Sequence, residues 1–86
     1  MNTQQTALVV AAMAETACRK YGPYASPHEF LGVLDEERHE LITAIHANDW
    51  DEARREALDI AAVALKFASE ITTRETDGTY LKHKKN

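Results

Sequence analysis

Five carboxylates fall into two short groups, Glu36, Glu37 and Glu40 and then Glu56 and Asp59. Glu37 and Glu40 stand three residues apart, as do Glu56 and Asp59, so on helices each pair shares a face. Between the groups lies Asn48, a residue suited to closing a helix in the left-handed conformation. Glu40 and Glu56 are each eight residues from it, about 12 Å along a helix, and Glu37 and Asp59 are each eleven away, about 16 Å. On two antiparallel helices joined at Asn48, the four groups sit level and meet in one patch. Four carboxylates held that close repel one another or take up protons. A hard divalent cation removes that cost, and oxygen-only ligation favours Mg2+, with Mn2+ as the alternative, over zinc. Two such ions are able to bridge a polyphosphate and activate a water on it. The competing reading is an ordinary solvated helix face whose acids are balanced by Arg38, Arg54, Arg55 and Lys66, in pairs worth a few tenths of a kcal/mol each.

The patch requires a helical hairpin, and the sequence encodes one. Glycine and proline occur only at positions 22, 23, 27, 32 and 78, which leaves two long uninterrupted stretches without strand-like alternation. The chain reads as all-α. A first helix is expected from about Thr3 to Lys20, with Leu8, Ala11, Met13, Ala14, Ala17 and Cys18 as its apolar side and Tyr21-Gly22-Pro23 ending it. The second starts at Ser26, with Pro27 at the first helical position and Glu29 completing a capping box. Its apolar positions are Phe30, Leu31, Leu34, Leu41, Ile42 and Ile45, and it runs to about Ala47. Asp49 caps the third, with Glu52 as the partner in a second capping box, and that helix runs from Trp50 to about Thr72. Gly32, inside the second helix, costs about 1 kcal/mol against alanine, and a close helix contact or a ligand would account for it. The two-residue connection makes the second and third helices antiparallel. Residues 75–86 form a polar, partly basic tail beyond a domain spanning residues 1–74.

The chain has 86 residues and a net charge of −4, with one cysteine, Cys18. A core this small is marginal alone, and no disulfide or cysteine–histidine zinc site is available to support it. Support must come from metal, self-association or both. The charge balance argues against binding to a nucleic-acid polymer. The apolar run 7–14 has no basic segment before it and is too short to span a bilayer. The expectation is a cytoplasmic protein with no membrane association. The one basic run, Lys82-His83-Lys84-Lys85, reads as a solvated tail.

The segment Glu36-Glu37-Arg38-His39-Glu40, followed by fifteen residues and then Glu56-Ala57-Leu58-Asp59, resembles the EExxE…ExxD signature of the all-α nucleoside triphosphate pyrophosphohydrolases, and in particular MazG-like members. The resemblance covers about half the chain, from His28 to Ala68. It implies magnesium-dependent cleavage between the α and β phosphates of a nucleoside triphosphate, giving the monophosphate and pyrophosphate in nucleotide-pool house-cleaning. It implies metal ligation by Glu37, Glu40, Glu56 and Asp59, and it makes Glu36 and Glu37 the catalytic pair, with Glu36 as auxiliary ligand or water-orienting base. It also implies a homodimer or homotetramer whose subunits together complete a four-helix-type bundle. The chain departs from larger members in being compact, with one copy of the motif pair and no clear Lys/Arg/Asn cluster after the third helix.

Candidate substrate contacts are Lys66, seven residues beyond Asp59 on the same face, Trp50 just after the turn, and Tyr24 ahead of the second helix. Each has a plainer reading. Lys66 reads as a surface lysine with a buried stem, Trp50 as a plug on the hairpin end, and Tyr24, with Tyr21, as loop packing. His28, His39, His46 and His83 form no ligand pattern, and Cys18 lies on an apolar stripe. Two other functions fit the same residues. One is phosphoribosyl-ATP pyrophosphohydrolase, of similar size and ligands; the other is a non-enzymatic helical dimerisation module.

Overall fold

The computed structural model describes the backbone of residues 1–76 and the side chains of residues 1–71. The described part consists of three helices: α1 (Thr3–Tyr21), α2 (Pro27–His46) and α3 (Trp50–Thr76).

Each helix begins at a side-chain cap. Asn2 and Gln5 form a reciprocal capping box on α1, with Gln5 N donating to Asn2 Oδ1 at 2.8 Å and Asn2 N donating to Gln5 Oε1 at 2.9 Å. Ser26 Oγ accepts from Glu29 N at 3.2 Å. The return arm of that box lands one residue early, because Glu29 Oε1 accepts from Ala25 N. Asp49 Oδ1 accepts from Glu52 N at 3.2 Å, while Glu52 turns its carboxylate to Arg55 rather than back to the cap.

The hairpin turn is a Schellman closure. Asn48 adopts φ +57°, Asp49 N donates to Ala44 O at 2.9 Å, and Asn48 N donates to Ile45 O at 3.0 Å. Residues 47–49 form the connection, so the loop is three residues long rather than two, and α2 and α3 pack antiparallel as expected. At the other junction Gly22, at φ +70°, donates to Cys18 O and ends α1. α3 continues past the expected stop at Thr72 to Thr76, because neither glycine nor proline occurs before Gly78 to break it. The rest of the tail, including Lys82-His83-Lys84-Lys85, lies outside the described residues.

α3 is the shared element, packed against both α1 and α2, while α1 and α2 scarcely touch. The buried residues are mostly small: Val10 and Ala14 on α1, Phe30 and Ala44 on α2, Ala53 and Ala62 on α3. Alanine at these positions lets helix axes approach closely. On α1 the expected face is inward at Ala14 and half-buried at Ala11, Met13 and Ala17, but Val10 is inside while Leu8 and Cys18, at the two ends of that face, are exposed. Leu31 and Ile45 on α2 are exposed as well. Away from the turn, the rings of Phe30 and Phe67 stack at 4.0 Å, and Tyr24 meets both edge-on. Gly32 faces open space, and a Cβ added there would meet nothing within 4 Å, so no helix of the chain itself approaches it. Among the described residues no helix is long and apolar enough to cross a membrane.

Candidate metal-binding site

The inward stripe of α2 runs through Phe30, Val33, Glu37, Leu41 and Ala44, at the three- and four-residue spacing of one helix face. That of α3 runs through Ala53, Glu56, Asp59, Ala62 and Lys66. Two charged residues, Glu56 and Lys66, are therefore among the most buried positions of the molecule, at 7% and 3% exposure. Where the stripes face each other, one carboxylate oxygen each from Glu37, Glu56 and Asp59 lies within 4.8 Å of the others. Glu37 Oε1 and Glu56 Oε1 are buried and accept no hydrogen bond. A buried, unsatisfied carboxylate oxygen is costly. With both groups ionised, the missing partner is a proton or a cation.

The electrostatics follow from that crowding. Contact with the Glu52 carboxyl, then burial, then contact with Glu37 and the charges of Glu40 and Glu37, push Glu56 up to about 8. Burial raises Glu37, assisted by the charges of Asp59 and Glu40, while its contact with Glu56 acts in the opposite direction. Burial also raises Asp59, with Glu40 and Glu52 adding to it. These shifts all favour a proton bound within the metal-free cluster near neutral pH. A divalent cation offers the same relief without the proton, and three oxygen donors of this kind suit a hard ion.

No family model matches the chain, and no curated protein or solved structure matches it.

The remaining expected residues fall in three places. Glu40 is exposed at the rim of the cluster, close enough for its charge to act on Glu37, Glu56 and Asp59. Glu36 is exposed and is not a member of the three-carboxylate group. The level matching across the turn holds, but rotation about the helix axis decides membership: Glu37 is on the inward stripe, and Glu36 and Glu40 flank it. The sequence reading missed Glu52, which was assigned only a capping role. It contacts Glu56 and shares with Glu40 and Glu56 a cleft of about 340 Å³ beside the turn. Its four-residue spacing from Glu56 was the available signal.

Lys66 is not a surface lysine. Its Nζ pairs with Glu70 Oε2 at 2.5 Å and lies 3.6 Å from the centre of the Tyr24 ring. Glu70 in turn accepts from Tyr24 N at 3.0 Å. Lys66 and Tyr24 are thus neighbours, whereas Trp50 is 61% exposed at the opposite end of α3. His28, His39 and His46 are exposed, and His83 lies outside the described residues.

Proposed function

We propose that this chain is a magnesium-dependent hydrolase that converts a nucleoside triphosphate to the monophosphate and pyrophosphate, in the manner of MazG-like house-cleaning enzymes. The observation that carries the reading is the pair of buried carboxylate oxygens without a donor, Glu37 Oε1 and Glu56 Oε1, facing each other across the hairpin beside Asp59. A solvated acidic face has no reason to bury two carboxylates against each other. The resemblance of Glu36–Glu40 and Glu56–Asp59 to the pyrophosphohydrolase signature supplies the substrate class.

Glu37, Glu56 and Asp59 would hold the ion, with Glu40 joining them from the rim. Magnesium or manganese there would supply Lewis acidity and neutralise charge on the polyphosphate. The chain's own part is to keep Glu37, Glu56 and Asp59 on two rigid helices with one carboxylate oxygen of each already near the others. Glu52, on the cleft beside the cluster, is placed to orient a water and accept its proton. Glu36, outside the three-carboxylate group, has the auxiliary place. Completion of a four-helix-type bundle by a homodimer or homotetramer belongs to the same reading, supported by the exposure of Leu8, Leu31 and Leu65 on separate helices.

Product identity tests the chemistry. A panel of nucleoside triphosphates and phosphoribosyl-ATP, incubated with magnesium, is expected to yield pyrophosphate and a monophosphate. Orthophosphate with diphosphate would indicate another phosphohydrolase. No turnover of any member would leave the helical dimerisation module, and turnover confined to phosphoribosyl-ATP would move the chain to that substrate.

A further inference from the structure

The link between α1 and α2 is fixed at each end by a helix cap and in the middle at Tyr24. Gly22 N donates to Cys18 O and closes α1, Pro23 has no N–H to give, and Ala25 N turns forward to Glu29 in α2. Tyr24 N instead crosses to α3 and donates to Glu70 Oε1 at 3.0 Å. The other oxygen of that carboxylate takes the Lys66 ammonium at 2.5 Å. The ammonium in turn lies 3.6 Å from the centre of the Tyr24 ring, whose neighbours Phe30 and Phe67 meet it edge-on. Lys66 is 3% exposed, and a charge so buried is tolerated only with an opposite charge beside it. Glu70 therefore does two things at once. It neutralises Lys66, and it holds the backbone that carries the ring over Lys66.

α1 and α2 scarcely touch, so closing the molecule on that side falls to the link. Behind it a cleft of about 340 Å³ reaches from Tyr24 to Glu37. Gly22 has φ +70° and open space around its missing Cβ, which leaves the link free to rise at that end. We propose that residues 22–26 are a strap fastened by Glu70, and that it opens separately from the helical hairpin. Opening lifts the Tyr24 ring, brings the Lys66 ammonium to water and widens the approach to Glu37 from the side away from the turn. Closing trades two hydrated ions for one dry pair. Desolvation offsets much of the attraction in such a pair, so neither state is strongly preferred on electrostatic grounds. The strap is independent of what the carboxylates hold, and its test needs neither metal nor substrate.

Amide hydrogen exchange and lysine acetylation by acetic anhydride, both on the full chain, read the two states. In wild type the Tyr24 amide is expected to exchange at least tenfold faster than those of Ala44 and Ala62 in the hairpin. Lys66 is expected to acetylate at least tenfold more slowly than the exposed Lys20. Glu70→Ala should speed Tyr24 exchange and Lys66 acetylation at least tenfold each, with Ala44 and Ala62 unchanged. Tyr24 exchanging as slowly as the hairpin amides in wild type, or Lys66 staying slow in Glu70→Ala, overturns the strap. Acceleration of Ala44 and Ala62 in step with Tyr24 overturns it too, because Glu70 then supports the whole fold. The double variant Lys66→Met/Glu70→Ala carries no unpaired buried charge and covers the case in which Glu70→Ala does not fold. Faster Tyr24 exchange over an unchanged hairpin supports the strap there as well, and unchanged Tyr24 exchange overturns it.

Discussion

At the residue scale, the centre of the molecule is an unfavourable contact kept in place. Glu37 and Glu56 face each other with buried, unsatisfied oxygens, and the metal-free chain relieves the repulsion by protonation. The pH dependence follows in sign. The crowding pushes Glu56 up to about 8 in the folded chain from an ordinary value of about 4.5, so between those values the folded state binds the extra proton. Stability therefore falls as pH rises through that window. Glu37 and Asp59, also raised, act in the same direction. In chelator the melting temperature is expected to be lower at pH 8.5 than at pH 5.5, and magnesium should remove most of that difference by taking the proton's place. A metal-free melting temperature that climbs from pH 5.5 to 8.5 would mean the cluster is not proton-bound. Much of this was legible in the sequence, because equal distances from Asn48 bring Glu37 and Asp59 level. Glu52 was not legible as a member, since the same residue also satisfies a capping-box pattern. Nor was the burial of Lys66, which depends on Tyr24, a residue from outside α3, covering its head group.

At the element scale, caps and turns were the readable part. Ser26, Asp49 and Asn48 act as their residue types dictate, because capping is a local exchange between a side chain and a few backbone groups. The stacked rings obey the distance rule that levels the carboxylates: Phe30 lies eighteen residues before Asn48 and Phe67 nineteen after it. The edges of the inner face of α1 were not readable. With alanine at positions 7, 11, 12, 14 and 17, that helix is apolar around much of its circumference, and periodicity alone does not choose between Leu8 and Val10 as the inner side. Gly32 gives a clean measurement. It is exposed, helical and free of neighbours at its missing Cβ, so Gly32→Ala is expected to stabilise the chain by about 0.5–1 kcal/mol. Chemical denaturation reads this directly, and a destabilised variant would show that a neighbour not seen in the single chain packs there.

At the scale of the whole molecule, three helices enclose very little. No side chain among the described residues is fully buried, while Leu8, Leu31, Trp50 and Leu65 remain in the open. Self-association is the expected remedy for so thin a core. Light scattering at tens of micromolar should give the mass of a dimer or tetramer; a monomer that unfolds cooperatively at that concentration would exclude it. Which surfaces meet is not written in the sequence, because an apolar residue looks the same whether its partner is another helix of the chain or a second copy. Whatever the assembly, the decisive question remains whether the facing carboxylates hold an ion. Magnesium binding by calorimetry, compared between wild type and the shape-preserving variants Glu56→Gln and Asp59→Asn, answers it most directly. Wild type is expected to bind magnesium at the hairpin and to melt higher when loaded. Both variants should lose that binding by at least tenfold, and Glu56→Gln, which mimics the protonated group, should melt higher than wild type at pH 8.5 in chelator. Equal magnesium affinity in all three proteins, with no gain for metal-free Glu56→Gln, would contradict a metal site at Glu37, Glu56 and Asp59.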